Sequence, residues 1–545
     1  MGIGLSGQRL RRLGVVLAVT ALVVGGASTA VAAGGQAATR SATPSMTNSI
    51  VPEPAVVQPS HQRFRITPGT MIFTQAGSDQ AAAIGDQLAA LLRPSTGFEL
   101  PVVHTFFAPH TGIALMLTHN SKLGTEGYTL DVSDNSVVIT AATPNGLFYG
   151  VQTLRQLLPA QADAKTRQQH VAWTVPGGHI ADQPRFAYRG AMLDVSRHFF
   201  GVPIVERLID EISLYKVNFL HLHLSDDQGW RIAIAKWPNL ATHGGSTEVG
   251  GGAGGFFTVA QYEQIVAYAR AHFVTIVPEI DGPGHTNAAL SSYAQLNCDG
   301  VAPPLYTGTD VGFSSLCVNS AVTYQFLTDV LDELAAITPG PFVHIGGDEA
   351  QSTTATDYAT FEGKELPIVA STGKRAIGWH DVTQVNPPTS FVAQFWGTTQ
   401  TDPTVAAAAA RGNMVIMSPA VKAYLDMKYT EATKLGQDWA ALIEVKDAYG
   451  WDPGNYLQGV GEKSVLGVEG PIWSETLLDM ANIEYLAFPR LPALAELGWS
   501  PESTHDWNSF ATRLGNQGPR WTVRGMNFYA SPQVPWAPGT VGGVD

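Results

Sequence analysis

Positive charge, cysteine and charged side chains in general are scarce in this chain of 545 residues, and each shortage excludes something. Lys and Arg number 32 against 46 Asp and Glu, a formal net charge of −14. Nucleic acid and anionic membrane both reward basic surfaces, so neither is expected as a partner and a neutral ligand fits better. Two cysteines, Cys298 and Cys317, cannot build a zinc finger. No apolar run reaches the roughly 20 residues that a membrane span needs. No phosphate-binding Gly-rich loop is evident.

Apolar residues are abundant. A hydrophobic content of 45% beside 14% charged residues describes a globular protein with a large core. The length exceeds what one core usually supports, so two domains are expected. Arg9, Arg11 and Arg12 precede the apolar run Leu13 to Val24, followed by small residues from Ala27 to Ala33. This is the layout of a secretory signal over residues 1–33, with cleavage near Ala32. The Gly-, Ala-, Ser- and Thr-rich residues 34–49 read as a flexible linker. The mature protein is therefore expected to be secreted, extracellular and free of membrane, and an exported chain is expected to join Cys298 to Cys317 as a disulfide.

Residues 50–183 read as a small α+β domain. Apolar alternation marks strands at 113–117, 128–132 and 137–140, and helical spacing marks 79–92 and 145–158. From residue 184 to 545 short apolar runs alternate with helical stretches, the signature of βαβ units. Candidate strands are 190–195, 217–224, 274–279, 342–345, 376–379, 391–396, 414–417 and 465–472. Eight is the number required by a TIM (β/α)8 barrel, so the fold class is α/β, with the barrel preceded by the small α+β domain.

Active sites of such barrels lie at the C-terminal ends of the strands, and chemistry-bearing residues cluster there. Asp194 and Arg197 follow the first strand, Asp226 and Asp227 the second, and Glu279, Asp281 and His285 the third. The fourth ends in Val343-His344-Ile345-Gly346-Gly347-Asp348-Glu349-Ala350. Adjacent residues on a strand face opposite ways, so Asp348 and Glu349 serve one site only if the chain turns, and Gly346-Gly347 permits that turn. Trp379, Trp396, Tyr424, Asp426, Trp473 and Glu475 close the remaining strands. Carboxylates beside tryptophans suit a sugar, whose C–H faces stack on indoles while acids and Arg bind its hydroxyls. Sequence neighbours seldom face each other across a sugar ring, so the usual pair of opposed carboxylates is not expected from Asp348 and Glu349.

Residues 189–199 (RGAMLDVSRHF), 221–230 (HLHLSDDQGW), 279–285 (EIDGPGH) and 344–350 together resemble glycoside hydrolase family 20, the β-N-acetylhexosaminidases, over about residues 50 to 510. Gly282 departs from the pattern, which carries a larger residue such as Met there. The resemblance implies an enzyme without cofactor or metal that acts from the non-reducing end on N-acetylhexosaminides such as chito-oligosaccharides. The substrate's 2-acetamido oxygen attacks its own anomeric carbon, giving an oxazolinium ion. It further implies Glu349 as acid and base, Asp348 holding the acetamido N–H, and Tyr424 donating to its carbonyl. Trp379, Trp396 and Trp473 wall the acetamido methyl, and Arg189, Asp426 and Glu475 bind hydroxyls. His285 and Asp226 tune Glu349, with Asp227 an alternative to Asp226, while Asp194, Arg197 and His198 are read as structural support. Two rivals remain: a zinc amidohydrolase built on His221-Leu222-His223, and a non-catalytic sugar-binding protein.

Overall fold

The computed structural model describes residues 45–545, so the expected signal and most of the expected linker lie outside the described residues. The expected linker extends to residue 49, but Met46 is already buried in the small domain's core. The carbonyl of Ser49 accepts from Gln517 Nε2 at 2.6 Å. Ordered packing thus begins a few residues earlier than composition suggests.

The small domain is a seven-stranded sheet: β1 (Val56–Arg65), β2 (Ile72–Gln75), β3 (Val102–Thr105), β4 (Gly112–Leu117), β5 (Tyr128–Val132), β6 (Ser136–Ala141) and β7 (Thr174–Asp182), in the order β1-β7-β5-β6-β4-β2-β3. Four of these strands carry no clean alternation in sequence. Pro59 and Pro176-Gly177-Gly178 interrupt the β1–β7 pair, which pairs with a register shift between Pro59 and Arg63. Helices Asp79–Thr96 and Pro144–Leu157 bury their apolar faces against the sheet.

Eight parallel strands then close a barrel: β8 (Tyr188–Asp194), β9 (Phe219–His223), β10 (Thr275–Glu279), β11 (Phe342–His344), β12 (Arg375–Trp379), β13 (Val392–Phe395), β14 (Met414–Met417) and β15 (Val465–Ile472). All eight coincide with the expected runs to within a few residues. Near-continuous burial along each strand explains why they read as apolar runs rather than as alternating patterns. The helix Val259–Ala271 starts on a reciprocal cap: Thr258 Oγ1 accepts from Gln261 N, and Gln261 Oε1 accepts from Thr258 N. The helix Met480–Ala487 is capped by Asp479, which accepts from Asn482 N. Among the described residues no helix is long and apolar enough to cross a membrane.

Side chains fill the barrel in layers. The floor is apolar: Tyr188, Val277, Phe342, Ile377, Val392 and Ile416 form their own cluster. Above it stands a charged layer. His221 donates to Glu469 Oε1 at 2.9 Å and to Glu279 Oε2 at 3.0 Å. Gln394 donates to Glu469 Oε1 at 2.7 Å, and Tyr188 donates to Glu469 Oε2 at 2.5 Å. His344 Nδ1 lies 2.9 Å from Glu279 Oε1, which also accepts from Trp379 Nε1 at 3.0 Å. Burial opposes a charge on His221, but Glu469 and Glu279 outweigh it and raise its pKa to about 9. The barrel axis is therefore an ionic column in which every carboxylate oxygen of Glu279 and Glu469 is paired, and the site is built at the strand ends above it.

Candidate active site

Asp348 and Glu349 leave β11 through a turn that only glycine allows. Gly346 and Gly347 have φ of 67° and 99°. A Cβ on Gly346 would lie 1.7 Å from Asp281 Oδ1, and one on Gly347 would lie 2.4 Å from Val382 Cγ2. Glu349 itself sits at φ 46°, a strained conformation for a residue with a side chain. The outcome is that both carboxylates reach one imidazole: His285 Nε2 lies 3.8 Å from Asp348 Oδ2 and 3.4 Å from Glu349 Oε2. They stand on the same side of the site rather than facing each other.

His285 Nδ1 lies 3.2 Å from Asp226 Oδ1, which resolves the choice left open by sequence. Asp227 turns away, accepting from Ser314 Oγ and from Asn287 N. Asp226 also accepts from His223 Nε2 at 2.9 Å, and His223 Nδ1 contacts Glu279. Burial disfavours a charged His285, but the carboxylates of Asp226 and Asp348 hold its pKa well above the ordinary value. Burial pushes Asp348 up to about 7, with the charges of Glu349 and Asp381 adding to it and His285 opposing. His221 and His223 each direct both ring nitrogens at carboxylates, so the His-x-His pair belongs to this ionic column.

Aromatic rings form a continuous wall. Trp379 packs on Trp473 at 5.6 Å, Trp473 on Tyr424 at 6.2 Å, Tyr424 on Trp439 at 5.9 Å, and Trp439 on Trp396 at 6.2 Å between ring centroids. Burial raises the Tyr424 hydroxyl pKa well above normal, so it remains a proton donor. At the end of the site Asp426 Oδ1 and Glu475 Oε2, like Asp348 Oδ1, are buried with no hydrogen-bond partner. Buried polar atoms are nearly always paired, so unpaired acceptors converging on one hollow mark where a ligand supplies the donors.

One expected site residue is elsewhere. Arg189 is the second residue of β8, at the strand's N-terminal end, opposite the catalytic rim. It donates to Glu126 Oε1 at 2.6 Å, to Lys216 O at 2.8 Å and to Phe186 O at 2.9 Å, and lies 4.9 Å above the Trp499 ring. It joins the small domain to the barrel and cannot touch a sugar. Arg197, expected as support, lies just past the C-terminal end of β8 instead. It pairs with Asp194 at 3.2 Å and Asp226 at 2.7 Å, lies 4.8 Å above Trp473, and keeps a buried, unpartnered Nε. The strand-end rule itself could have chosen Arg197, since that residue follows β8 while Arg189 opens it. Trp439 and Asp381 were also missed; Asp381 Oδ2 accepts from Trp396 Nε1 at 3.0 Å and fixes that indole. Trp439 lies in a loop and Asp381 in the short 3-10 helix His380–Val385, neither with a periodic signal.

Cys298 and Cys317 are joined as a disulfide. At the departure from the family pattern, a Cβ on Gly282 would lie 3.0 Å from Phe361 Cζ, so a neighbouring ring occupies the space a larger side chain would take.

Residues 186–362 and 353–502 match the profile "Glycosyl hydrolase family 20, catalytic domain", and residues 47–183 match "Glycosyl hydrolase family 20, domain 2". The chain belongs to glycosyl hydrolase family 20. A β-N-acetylhexosaminidase of Cellulomonas fimi is 38% identical over 498 residues, covering 91% of this chain and 99% of that protein. The solved family 20 β-N-acetylhexosaminidase of Streptomyces coelicolor A3(2) is 54% identical with a TM-score of 0.88, covering 90% of this chain and 99% of that one. A mutant Streptomyces plicatus β-hexosaminidase in complex with the product GlcNAc is 55% identical, also with a TM-score of 0.88, over 90% and 98% of the two chains. This family 20 chain is accordingly a glycoside hydrolase of the β-N-acetylhexosaminidase type.

Proposed function

We propose that this glycoside hydrolase removes terminal β-linked N-acetylhexosamine from the non-reducing end, with retention, through an oxazolinium ion made by the substrate's own acetamido group. The supporting observation is the shared side of Asp348 and Glu349, converging on His285. A retaining enzyme with its own nucleophile needs two carboxyls roughly 5 to 5.5 Å apart across the sugar, and this pair does not span a sugar. The displacement then falls to the acetamido oxygen, already held next to the anomeric carbon. Asp348 Oδ1 accepts the acetamido N–H and faces the positive charge of the ring. Both favour its ionised form, overcoming the burial that raises its pKa in the empty site.

Tyr424 donates to the acetamido carbonyl and fixes its angle of attack, while Trp379, Trp396 and Trp473 exclude water around the methyl group. Glu349, 29% exposed, reaches the leaving oxygen, protonates it, and later takes a proton from the incoming water. Arg197, Asp426 and Glu475 grip the hydroxyls of the terminal sugar and close that end of the hollow, which imposes exo action. Paired substrates test the reading: a β-N-acetylglucosaminide and the matching β-glucoside, alike except for the 2-hydroxyl. Rapid hydrolysis of the first alone is expected; comparable turnover of both overturns the mechanism.

We further infer export and a role on terminal N-acetylhexosamine of chitin fragments. The signal-like residues 1–33 and the disulfide support an oxidising destination. Enzyme recovered from culture medium with its N-terminus beginning near Gly34 is the expected result; an intact Met1 on cell-retained protein contradicts it.

A further inference from the structure

We propose that the disulfide-closed loop from Cys298 to Cys317 carries a binding platform for the sugars on the reducing side of the scissile bond, formed by the exposed ring of Phe313 backed by the half-buried ring of Tyr306. The inference rests on the functional reading above and extends it from a terminal sugar to a chain of at least two. Phe313 is 45% exposed, and its ring lies 4.6 Å from that of Tyr306. An exposed ring on a loose loop would mean little, but this loop is anchored at several points. The Thr307 carbonyl accepts from Gly250 N at 2.8 Å, and the Gly308 carbonyl accepts from Gln228 Nε2 at 2.9 Å. Pro303 and Pro304 carbonyls accept from Ser291 Oγ and Asn287 Nδ2. Tyr306 Oη accepts from Asp310 N at 2.8 Å.

The residues flanking Phe313 tie this part of the loop to the segments that carry Glu349 and His285. Gly312, at φ 77°, lies so close to Gln351 that a Cβ there would be 2.2 Å from Gln351 Oε1, and Gln351 is two residues past Glu349. On the other flank Ser314 Oγ donates to Asp227 and accepts from Thr286 N, the residue after His285. The Ser314 carbonyl accepts from Ser352 Oγ at 2.9 Å. Glu349 protonates the leaving oxygen, so the departing sugar lies on this side of the cleft.

Topology supplies the second wall. The loop springs from β10, and Trp439, 52% exposed, springs from the segment after β14. In the closed order β8 to β15 these strands are separated by three others in either direction, so the two loops face each other across the mouth. A β-linked sugar chain leaving the hollow passes between aromatic faces, which suit the C–H faces of successive pyranoses.

Steady-state kinetics on methyl β-N-acetylglucosaminide and on the β-linked trisaccharide of N-acetylglucosamine test this with wild type, Phe313→Ala and Phe313→Tyr. Phe313→Ala is expected to raise KM for the trisaccharide about fivefold and to leave the methyl glycoside within about twofold. Phe313→Tyr, which keeps a ring face, is expected to behave as wild type. Unchanged trisaccharide KM in Phe313→Ala overturns the platform while the functional reading stands. Wild-type enzyme that hydrolyses neither substrate overturns both.

Discussion

Replacing Arg189 by Met and, separately, Arg197 by Lys divides the two arginines by the property each should lose. Arg189 is 1% exposed and satisfies Glu126 together with the carbonyls of Lys216 and Phe186. A methionine of similar length keeps contact with Trp499 but takes the charged partner from the Glu126 carboxylate, 14% exposed and left with only Asn218 Nδ2, and leaves two carbonyl acceptors without this donor. Breaking such a buried pair from one side destabilises by about 3 to 5 kcal/mol. No part of that loss touches the catalytic rim, so kcat/KM per folded molecule should stay within about twofold. Arg197→Lys should do the reverse. A single ammonium cannot meet Asp194, Asp226 and a sugar hydroxyl together, as a planar guanidinium can. Its kcat/KM should fall at least about tenfold, a loss of some 1.4 kcal/mol, while charge balance beside Asp226 is kept. Denaturant midpoints and kinetics on a chromogenic N-acetylhexosaminide measure both quantities. An Arg189→Met enzyme that is fully stable yet catalytically poor would return Arg189 to the site and refute the assignment made from its position on β8.

Glu349→Gln should fold normally and lose release of a poor leaving group such as an alcohol by about 100-fold or more, because the proton it supplies is gone; parental rates would remove it from the mechanism. Asp348 gives a pH signature. Its folded pKa of about 7 lies above the unfolded value near 3.9, so the folded chain retains a proton that the unfolded chain has lost between those limits. Wild-type stability should therefore fall as pH rises from about 4 to about 7, by at most roughly 4 kcal/mol, and Asp348→Asn should lack that component. A stability difference between the two proteins that does not change with pH contradicts the buried-acid account. Cys298→Ser with Cys317→Ser opens a loop of 19-residue separation and should destabilise by about 3 kcal/mol in melting experiments; no change would show the loop held by hydrogen bonds alone. Gly282→Met forces a side chain against Phe361 and should destabilise by about 1 to 3 kcal/mol, seen in the same assay; a neutral result would mean that Phe361 swings aside freely.

The barrel was legible because parallel strands buried on both faces read as apolar runs, and the acid pair was legible because two glycines precede it. Strands β1 and β7 were not, since prolines and glycines break their alternation and they pair with each other across more than 100 residues. The choice between Asp226 and Asp227 turned on which carboxylate meets an imidazole 59 residues downstream, a distance no local pattern encodes. The exchange of Arg189 for Arg197 had another cause. Both flank the same strand in one motif, and only the direction of the strand separates the rim from the base. Trp439 stayed hidden because loop tryptophans have no period, and its role depends on Tyr424 and Trp396, which fold brings to it from two other places.

Glu279 binds side chains from three neighbouring strands: His221 and His223 on β9, His344 on β11 and Trp379 on β12. Neutralising it alone would take one partner from all four at once, so change along the axis has to arrive in compensating sets. The outer segments are different, each fastened to the scaffold by its own contacts and replaceable one at a time. Divergence in what this barrel accepts should accordingly accumulate around residues 298–317 and 428–445, with the interior handed down almost untouched, and libraries aimed at new glycan preferences belong in those two stretches.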